Sequence, residues 1–380
     1  MATTVTLGGL RELAGFRAEN GCAISLYLDL DPSVAPTAAD VATRVRSLLD
    51  SGAKSDGATR RDLANEVRQG LKSDFERLER FFAQEFDRDG ARGIAVFVAG
   101  LDNVFSTLPL AAPVPDAIRV ADDFLLAPLV PLVGRADAGL VAVVDREQGR
   151  VYALRDGRLE EIADRSGDAP SRHDQGGWSQ ARYQRHIDNV ASEHYKTVAE
   201  EIEERFRRIG RPPIVVVCSD DVRPEITNAF STEVADAVVG WTAAEHHAGP
   251  NELQEVVAPV FEAWREQRVD GLVERWREES GRGARAATGW PETLEAASDA
   301  RVELLLYTEG TTRDAFRCPR CGRAAAASST CPLDGTTMDP RDDGLDLAVR
   351  LTLAHGGEVV ALRERADLDE AEGIAAILRY

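Results

Sequence analysis

The chain is poor in cysteine, has no long apolar run and carries no excess of positive charge. Five unevenly spaced cysteines in 380 residues are too few for a disulfide framework. No apolar stretch approaches the ~20 residues that a membrane-spanning helix needs, so a membrane protein is not expected. Met1-Ala2-Thr3-Thr4-Val5 has no basic segment leading into an apolar one, so no secretory leader is expected and the cytoplasm is the anticipated compartment. Lysine and arginine total 45 against 65 aspartates and glutamates, a net charge of −20. That balance argues against non-specific binding to nucleic acid, which depends on clustered cations displacing phosphate counterions. It still permits docking into a defined pocket through a local basic patch. Internal repeats are also lacking, and Ala324 to Ser329 is the one brief low-complexity loop.

What is present is ordinary for a globular chain: 43% hydrophobic and 29% charged residues, with length for two or three domains. Ala23–Leu30 and Gly93–Ala99 read as strands, and residues 41–49 and 63–86 have helical spacing. Leu63, Val67, Leu71, Phe75, Leu78 and Phe82 would share one helix face. Gly139–Asp145, Val151–Leu154 and Arg158–Glu160 suggest an antiparallel meander, with Gly149 in a turn. A helix over about 179–208 follows, striped by Ile187, Ala191, Tyr195, Val198, Ile202 and Phe206, and Pro212-Pro213 stops it before the strand Ile214–Cys218. A long helix from Asn251 to about Glu279, a short one at Thr293–Ala297, a strand at Val302–Tyr307, a helix near 345–355 and a strand at Glu358–Leu362 complete the pattern. Cys22 and Cys218, in apolar strand-like runs, read as small buried hydrophobes. The fold class is α/β, in three α/β domains: 1–126, 127–246 with a mixed sheet, and 247–380 with a cysteine-bearing insertion at 317–338.

The most informative stretch is His173-Asp174-Gln175-Gly176-Gly177-Trp178-Ser179-Gln180, at the mouth of the long central helix. Gly176 and Gly177 allow positive φ and close approach to another backbone. A mobile turn would use them equally well. Arg172, His173, Arg182, Arg185 and His186 surround the loop, with Asp174 the opposing charge. Arg182, Arg185 and His186 share a helix face that suits phosphate contacts or simple solvation. Trp178 can stack on a base or anchor the loop.

The loop and helix, with Ser179, Arg182, Arg185 and Val198-Ala199-Glu200 in register, resemble the archaeal and eukaryotic class-I translation release factors. Thr293-Leu294 before Val302-Glu303-Leu304-Leu305-Leu306-Tyr307 is similar to the start of that family's third domain. Gly373-Ile374-Ala375-Ala376-Ile377-Leu378-Arg379-Tyr380 is similar to its Gly-Ile-Gly-Gly-Ile-Leu-Arg-Tyr ending. The resemblance covers roughly residues 130–380, implies an RNase H-like central domain, and touches residues 20–126 only in outline. It implies hydrolysis of peptidyl-tRNA on the ribosome, with Gln180, Gly176 and Gly177 as the catalytic elements. Arg172, His173, Trp178, Ser179, Arg182, Arg185 and His186 would contact RNA, and the partner would be a translational GTPase or recycling factor.

Two departures qualify that reading. Trp178 stands directly after Gly-Gly, where the family has its glutamine, and Gln180 comes two residues later. This Gly177-x-x-Gln180 spacing resembles the release-factor-like peptidyl-tRNA hydrolases of ribosome quality control. The stop-codon-reading Asn-Ile-Lys-Ser tetrapeptide is replaced by Asp40-Val41-Ala42-Thr43. Release from stalled ribosomes without stop-codon reading is therefore the expected function. Non-catalytic occupation of the ribosomal A site, as a hibernation or rescue factor, is the alternative.

Cys318-Pro319-Arg320-Cys321-Gly322 and Cys331-Pro332-Leu333-Asp334-Gly335 are two half-sites with metal-ligand spacing. They resemble a zinc ribbon whose fourth cysteine is replaced by Asp334, so Cys318, Cys321, Cys331 and Asp334 are the expected ligands of a structural zinc. A former site that keeps its turns without metal has the same sequence.

Overall fold

A computed structural model describes residues 5–59, 63–133, 139–155, 158–166, 180–245, 247–283, 285–327, 330–363 and 365–380, with side chains of α5 from residue 190 onward. The N-terminal segment contains α1 (Leu7–Gly15), β1 (Ala23–Asp29), α2 (Ala38–Ala53), α3 (Asp56–Thr59), α4 (Asn65–Arg80), β2 (Gly93–Ala99), β3 (Val104–Leu110) and β4 (Ala117–Ala121). The strands form an antiparallel sheet in the order β3-β2-β1-β4. Alternation explains its continuous apolar strands. Ile24, Leu26, Leu28, Ile94, Val96 and Val98 face α2 and α4, while Tyr27, Ala95 and Phe97 face a second core. Thr37 and Asp40 form a reciprocal capping box at the start of α2. The helix expected over 63–86 ends at Arg80 and passes into a π-helical turn at Phe81–Glu85. Leu71 and Leu78 are buried on its face, whereas Val67, Phe75 and Phe82 are half-buried.

The middle segment contains β5 (Gly139–Val144), β6 (Gly149–Arg155), β7 (Arg158–Asp164), α5 (Gln180–Ile209), β8 (Ile214–Val217), α6 (Arg223–Ala229), α7 (Thr232–Ala237), β9 (Val238–Thr242) and α8 (Pro250–Gly281). The sheet order is β7-β6-β5-β8-β9, with β5, β8 and β9 mutually parallel. The meander is present, but Gly149 opens β6 instead of sitting in a turn. The stripe residues Ala191, Tyr195, Val198, Ile202 and Phe206 of α5 cover one sheet face with Leu140, Ala142 and Ile214. Leu253, Val257 and Phe261 of α8 cover the other with Val141, Val143 and Val215.

The C-terminal segment contains β10 (Ala286–Thr288), α9 (Gly289–Ser298), β11 (Val302–Thr308), β12 (Ala315–Arg317), β13 (Ala324–Ala325), β14 (Asp339–Arg341), α10 (Gly344–Ala354), β15 (Glu358–Leu362) and β16 (Ile374–Leu378). A sheet β10-β16-β11-β15 has β11 and β15 parallel and its other pairs antiparallel. The cysteine-bearing insertion rests on a small sheet β13-β12-β14. Cys22 and Cys218 pack at the edges of their cores and are half-buried, short of the full burial their apolar neighbours suggest.

The chain divides into two compact units, residues 136–270 and the combination of 1–135 with 271–380. The division differs from the three sequence segments because the first half of α8 is committed to the middle sheet through Leu253, Val257 and Phe261. The terminal segments share one core, in which Tyr27, Phe97, Phe124 and Leu129 meet Trp290, Leu294, Leu305, Tyr307 and Ile374. Among the described residues, no helix is long and apolar enough to cross a membrane.

Candidate functional site

Gln180 is the first residue of α5, so the expected glutamine opens the helix that its sequence pattern foretold. Arg172, His173, Gly176, Gly177, Trp178 and Ser179 lie outside the described residues, as do the side chains of Gln180, Arg182, Arg185 and His186. The described residues next to that loop lie at the end of β7 and on α5 from residue 190 onward. Arg165, just past β7, donates its Nε to Glu201 of α5 at 2.8 Å, and Glu201 also accepts from Arg205 at 2.7 Å. Burial alone would raise the Glu201 carboxyl, but Arg205 and Arg165 hold it below the ordinary carboxylate range. His194 Nε2 lies 3.1 Å from the Gln148 carbonyl oxygen, and the Arg165 N–H donates to the Gly149 carbonyl at 2.7 Å. Glycine at 149 is required by space: a Cβ there would lie 2.3 Å from Val198 Cγ2. Strand, loop exit and helix are thus cross-tied at the end of β7. Tyr195, 2% exposed, and the half-buried His194 serve this packing.

The structure brings the four candidate metal ligands together. One donor atom from each of Cys318, Cys321, Cys331 and Asp334 lies within 4.8 Å of all the others. Cys321 Sγ is 3.5 Å from Cys331 Sγ, and Cys318 Sγ is 3.7 and 3.8 Å from the two Asp334 oxygens. A tetrahedral zinc with Zn–S of ~2.3 Å has ligand–ligand edges of roughly 3.8 Å, so the donors are spaced for that ion. The two half-sites repeat one turn. Gly322 N–H donates to the Cys318 carbonyl and Gly335 N–H to the Cys331 carbonyl, with φ of 77° and 71° at the two glycines. Cys318 and Cys331 N–H groups donate to Arg323 and Thr336 carbonyls in the same relation. Asp334 therefore occupies the place of a second knuckle's cysteine. Hydrogen bonds from Thr336 hold its carboxyl below the usual range, so it is an anionic donor. Burial pushes the Cys331 thiol up to about 11. Burial also opposes ionisation of Cys318, yet backbone N–H groups of Cys321 and Arg320 bring its thiol below the ordinary value. Cys318 and Cys331 are buried and Cys321 is exposed.

Beside these knuckles lies a charge cluster that the sequence reading missed. Asp123, 1% exposed, faces Arg119 at 2.8 Å, Arg317 at 2.7 Å, Arg350 at 3.3 Å and Arg341 at 3.7 Å. Asp343 and Asp346 also pair with Arg119, and Asp346 accepts the Leu126 and Ala127 N–H groups at 2.6 and 3.0 Å. Arg350 donates to the carbonyls of Ala14, Phe16 and Phe124. Burial alone would raise the Asp123 carboxyl, but Arg350, Arg119, Arg341 and Arg317 hold it below the usual range. The sequence signal was the pair Asp346 and Arg350, one helical turn apart in the otherwise apolar α10. Arg317 and Arg341 lie on β12 and β14, so the cluster ties the insertion's sheet to the N-terminal segment.

Residues 125–263 match the family model described as bacterial archaeo-eukaryotic release factor family 10. The chain is 25% identical to peptide chain release factor subunit 1 of Archaeoglobus fulgidus, in an alignment covering 98% of this chain and 96% of that protein. It is 27% identical to the protein of the same name from Thermoplasma acidophilum over 64% of this chain, spanning 63% of that relative's length. Among solved structures, archaeal translation termination factor aRF1 aligns at 17% identity over 99% of both chains, with a TM-score of 0.28. Ribosome-bound archaeal Pelota with ABCE1 aligns at 15% identity over 76% of this chain and 77% of that one, with a TM-score of 0.43. By sequence, the chain is thus similar to the archaeo-eukaryotic release factors, through the family model over its middle segment and through archaeal relatives at 25% and 27% identity.

Proposed function

We propose that this protein acts in translation as a peptidyl-tRNA hydrolase that frees nascent chains from stalled ribosomes without reading a stop codon. The observation that carries the proposal is Gly176-Gly177-Trp178-Ser179-Gln180 leading directly into α5. The ester of peptidyl-tRNA breaks when a water attacks its carbonyl carbon and a proton reaches the departing ribose oxygen. Gln180 would hold that water by its amide or its backbone. Positioning of this kind contributes up to ~7–11 kcal/mol to lowering a barrier. The family resemblance assigns proton transfer to the terminal ribose of the tRNA, so an ionised protein base is not needed. Gly176 and Gly177 would let the loop approach RNA backbone where a Cβ would clash. Arg172, His173, Arg182, Arg185 and His186 would meet phosphates and Trp178 would stack on a base. Cross-tying of Arg165, Gly149 and Glu201 supports the reading by fixing where the loop departs. A translational GTPase or recycling factor is the proposed partner and the cytoplasm the proposed location.

The knuckles fit a structural zinc, and we assign Cys318, Cys321, Cys331 and Asp334 as its ligands. When bound, it would cross-link two turns and contribute folding free energy.

Single-turnover release of labelled peptide from ribosome-bound peptidyl-tRNA lacking a stop codon tests the hydrolase. Release by wild type and its loss in Gln180→Ala is the expected result. Trp178, in the position of the family's glutamine, favours a second reading in which the loop fills the A-site centre without chemistry. Tight ribosome binding with no release by either protein would establish that reading and refute the first.

A further inference from the structure

The knuckles place two thiols where they can become a disulfide. Cys321 and Cys331 present their sulfurs 3.5 Å apart, and a bond of ~2.05 Å requires an approach of roughly 1.5 Å. The third sulfur, Cys318 Sγ, lies within 4.8 Å of both, accepts the Cys321 N–H at 3.5 Å and faces the Asp334 carboxylate. Cys321 is exposed, so a small oxidant in water reaches it, whereas Cys331 is 2% exposed and is reached only from within the site. One accessible sulfur beside one sheltered sulfur is the arrangement in which the first attacks and the second resolves. The hard carboxylate at Asp334 leaves the site one thiolate short of an all-cysteine knuckle, so a soft or borderline metal there would be correspondingly easier to lose.

We propose that Cys321 and Cys331 form a reversible thiol–disulfide site, oxidised by hydroperoxides. The Cys321 sulfur attacks the peroxide, the O–O bond breaks, and a sulfenic acid forms on Cys321 as the departing hydroxide takes up the thiol proton to become water. The Cys331 sulfur then attacks that sulfur, the S–O bond breaks, and the departing hydroxide takes up the Cys331 thiol proton to leave as a second water. Two thiols and one hydrogen peroxide give one disulfide and two waters. The sulfurs lose two electrons and the peroxide gains them. Where a metal is bound, loss of two of its thiolates releases it. That release rests on the zinc assignment above, while the disulfide rests on sulfur geometry alone.

The test uses the full chain, reduced and loaded with zinc, then treated with stoichiometric hydrogen peroxide. Zinc release is followed with a chromogenic chelator, disulfides are mapped by peptide mass spectrometry, and reversal is sought with dithiothreitol. The expected result is a Cys321–Cys331 linkage, loss of the bound zinc, and recovery of both thiols and metal binding on reduction. Cys331→Ser should trap a sulfenic acid on Cys321, seen as a dimedone adduct, with no disulfide. A disulfide joining Cys318 to Cys321, or irreversible sulfinic acid without any disulfide, overturns the proposal even if zinc is bound. A Cys321–Cys331 disulfide in a protein that never held zinc sustains it and overturns the zinc assignment instead.

Discussion

Replacing Asp123 by alanine should loosen the unit formed by the terminal segments far more than its size suggests. The carboxylate is 1% exposed and faces Arg119, Arg317, Arg341 and Arg350. Its loss leaves the buried Arg350 guanidinium without its paired anion and leaves Arg119, Arg317 and Arg341 with one fewer. Breaking a buried pair by removing one partner costs about 3–5 kcal/mol, because the remaining charge is desolvated and uncompensated. Asp343 and Asp346 still face Arg119, which places the expected cost near the lower end, about 3 kcal/mol. Neighbouring Asp122 contacts Arg17, Arg317 and Arg341 but is 31% exposed, so Asp122→Ala should cost no more than about 1 kcal/mol. Hydrogen exchange followed by mass spectrometry on peptides spanning residues 117–133 isolates this unit from the middle one. Each 1.4 kcal/mol is about tenfold in an opening equilibrium, so protection there should fall roughly a hundredfold in Asp123→Ala. Protection in β5 and β8 should stay unchanged. Equal effects of Asp123→Ala and Asp122→Ala would refute the reasoning, since burial is what separates them.

The same carboxylate gives a pH prediction. Its folded pKa is depressed, so its contribution is fully present above the unfolded value of ~3.9 and is lost as pH falls through the lower folded value. Wild type should therefore exceed Asp123→Asn in urea midpoint at neutral pH, and the gap should narrow in acid; a constant gap would count against the charge account. Gly149→Ala should destabilise the middle unit by about 1–3 kcal/mol, because its Cβ would press on the stiff Val198 side chain, and an unchanged urea midpoint would show that strand and helix yield freely. Metal analysis of the purified protein should find one zinc per chain, with the apparent melting temperature lowered by a strong chelator. Cys318→Ser should abolish the zinc, and a metal-free native protein would defeat the ligand assignment.

Much of the fold could be read locally. The apolar strands β1 and β2, the stripe on α5, and the stop at Pro212-Pro213 follow from side-chain periodicity and backbone chemistry, which act over a few residues. The twin Cys-Pro knuckles were legible for the same reason, since their turns need only a fixed spacing and a glycine with positive φ. Short elements escaped: β3, β4 and β9 carry half-exposed residues with no uninterrupted apolar run, and α6 and α7 are too brief to show a stripe.

Tertiary structure alone decided the rest. Alternation announces that β1 and β2 have two apolar faces, but not that one of them is covered by Trp290, Leu294 and Tyr307 from the far end of the chain. A hydrophobic face is satisfied by any complementary face, and only the assembled chain selects one. The arginines and aspartates around Asp123 look like ordinary surface charge in a chain of net −20 until packing removes their water. Sequence spacing thus fixed the knuckles and the helix that follows the loop, whereas desolvation across distant segments, which no local pattern encodes, made Asp123 a structural centre.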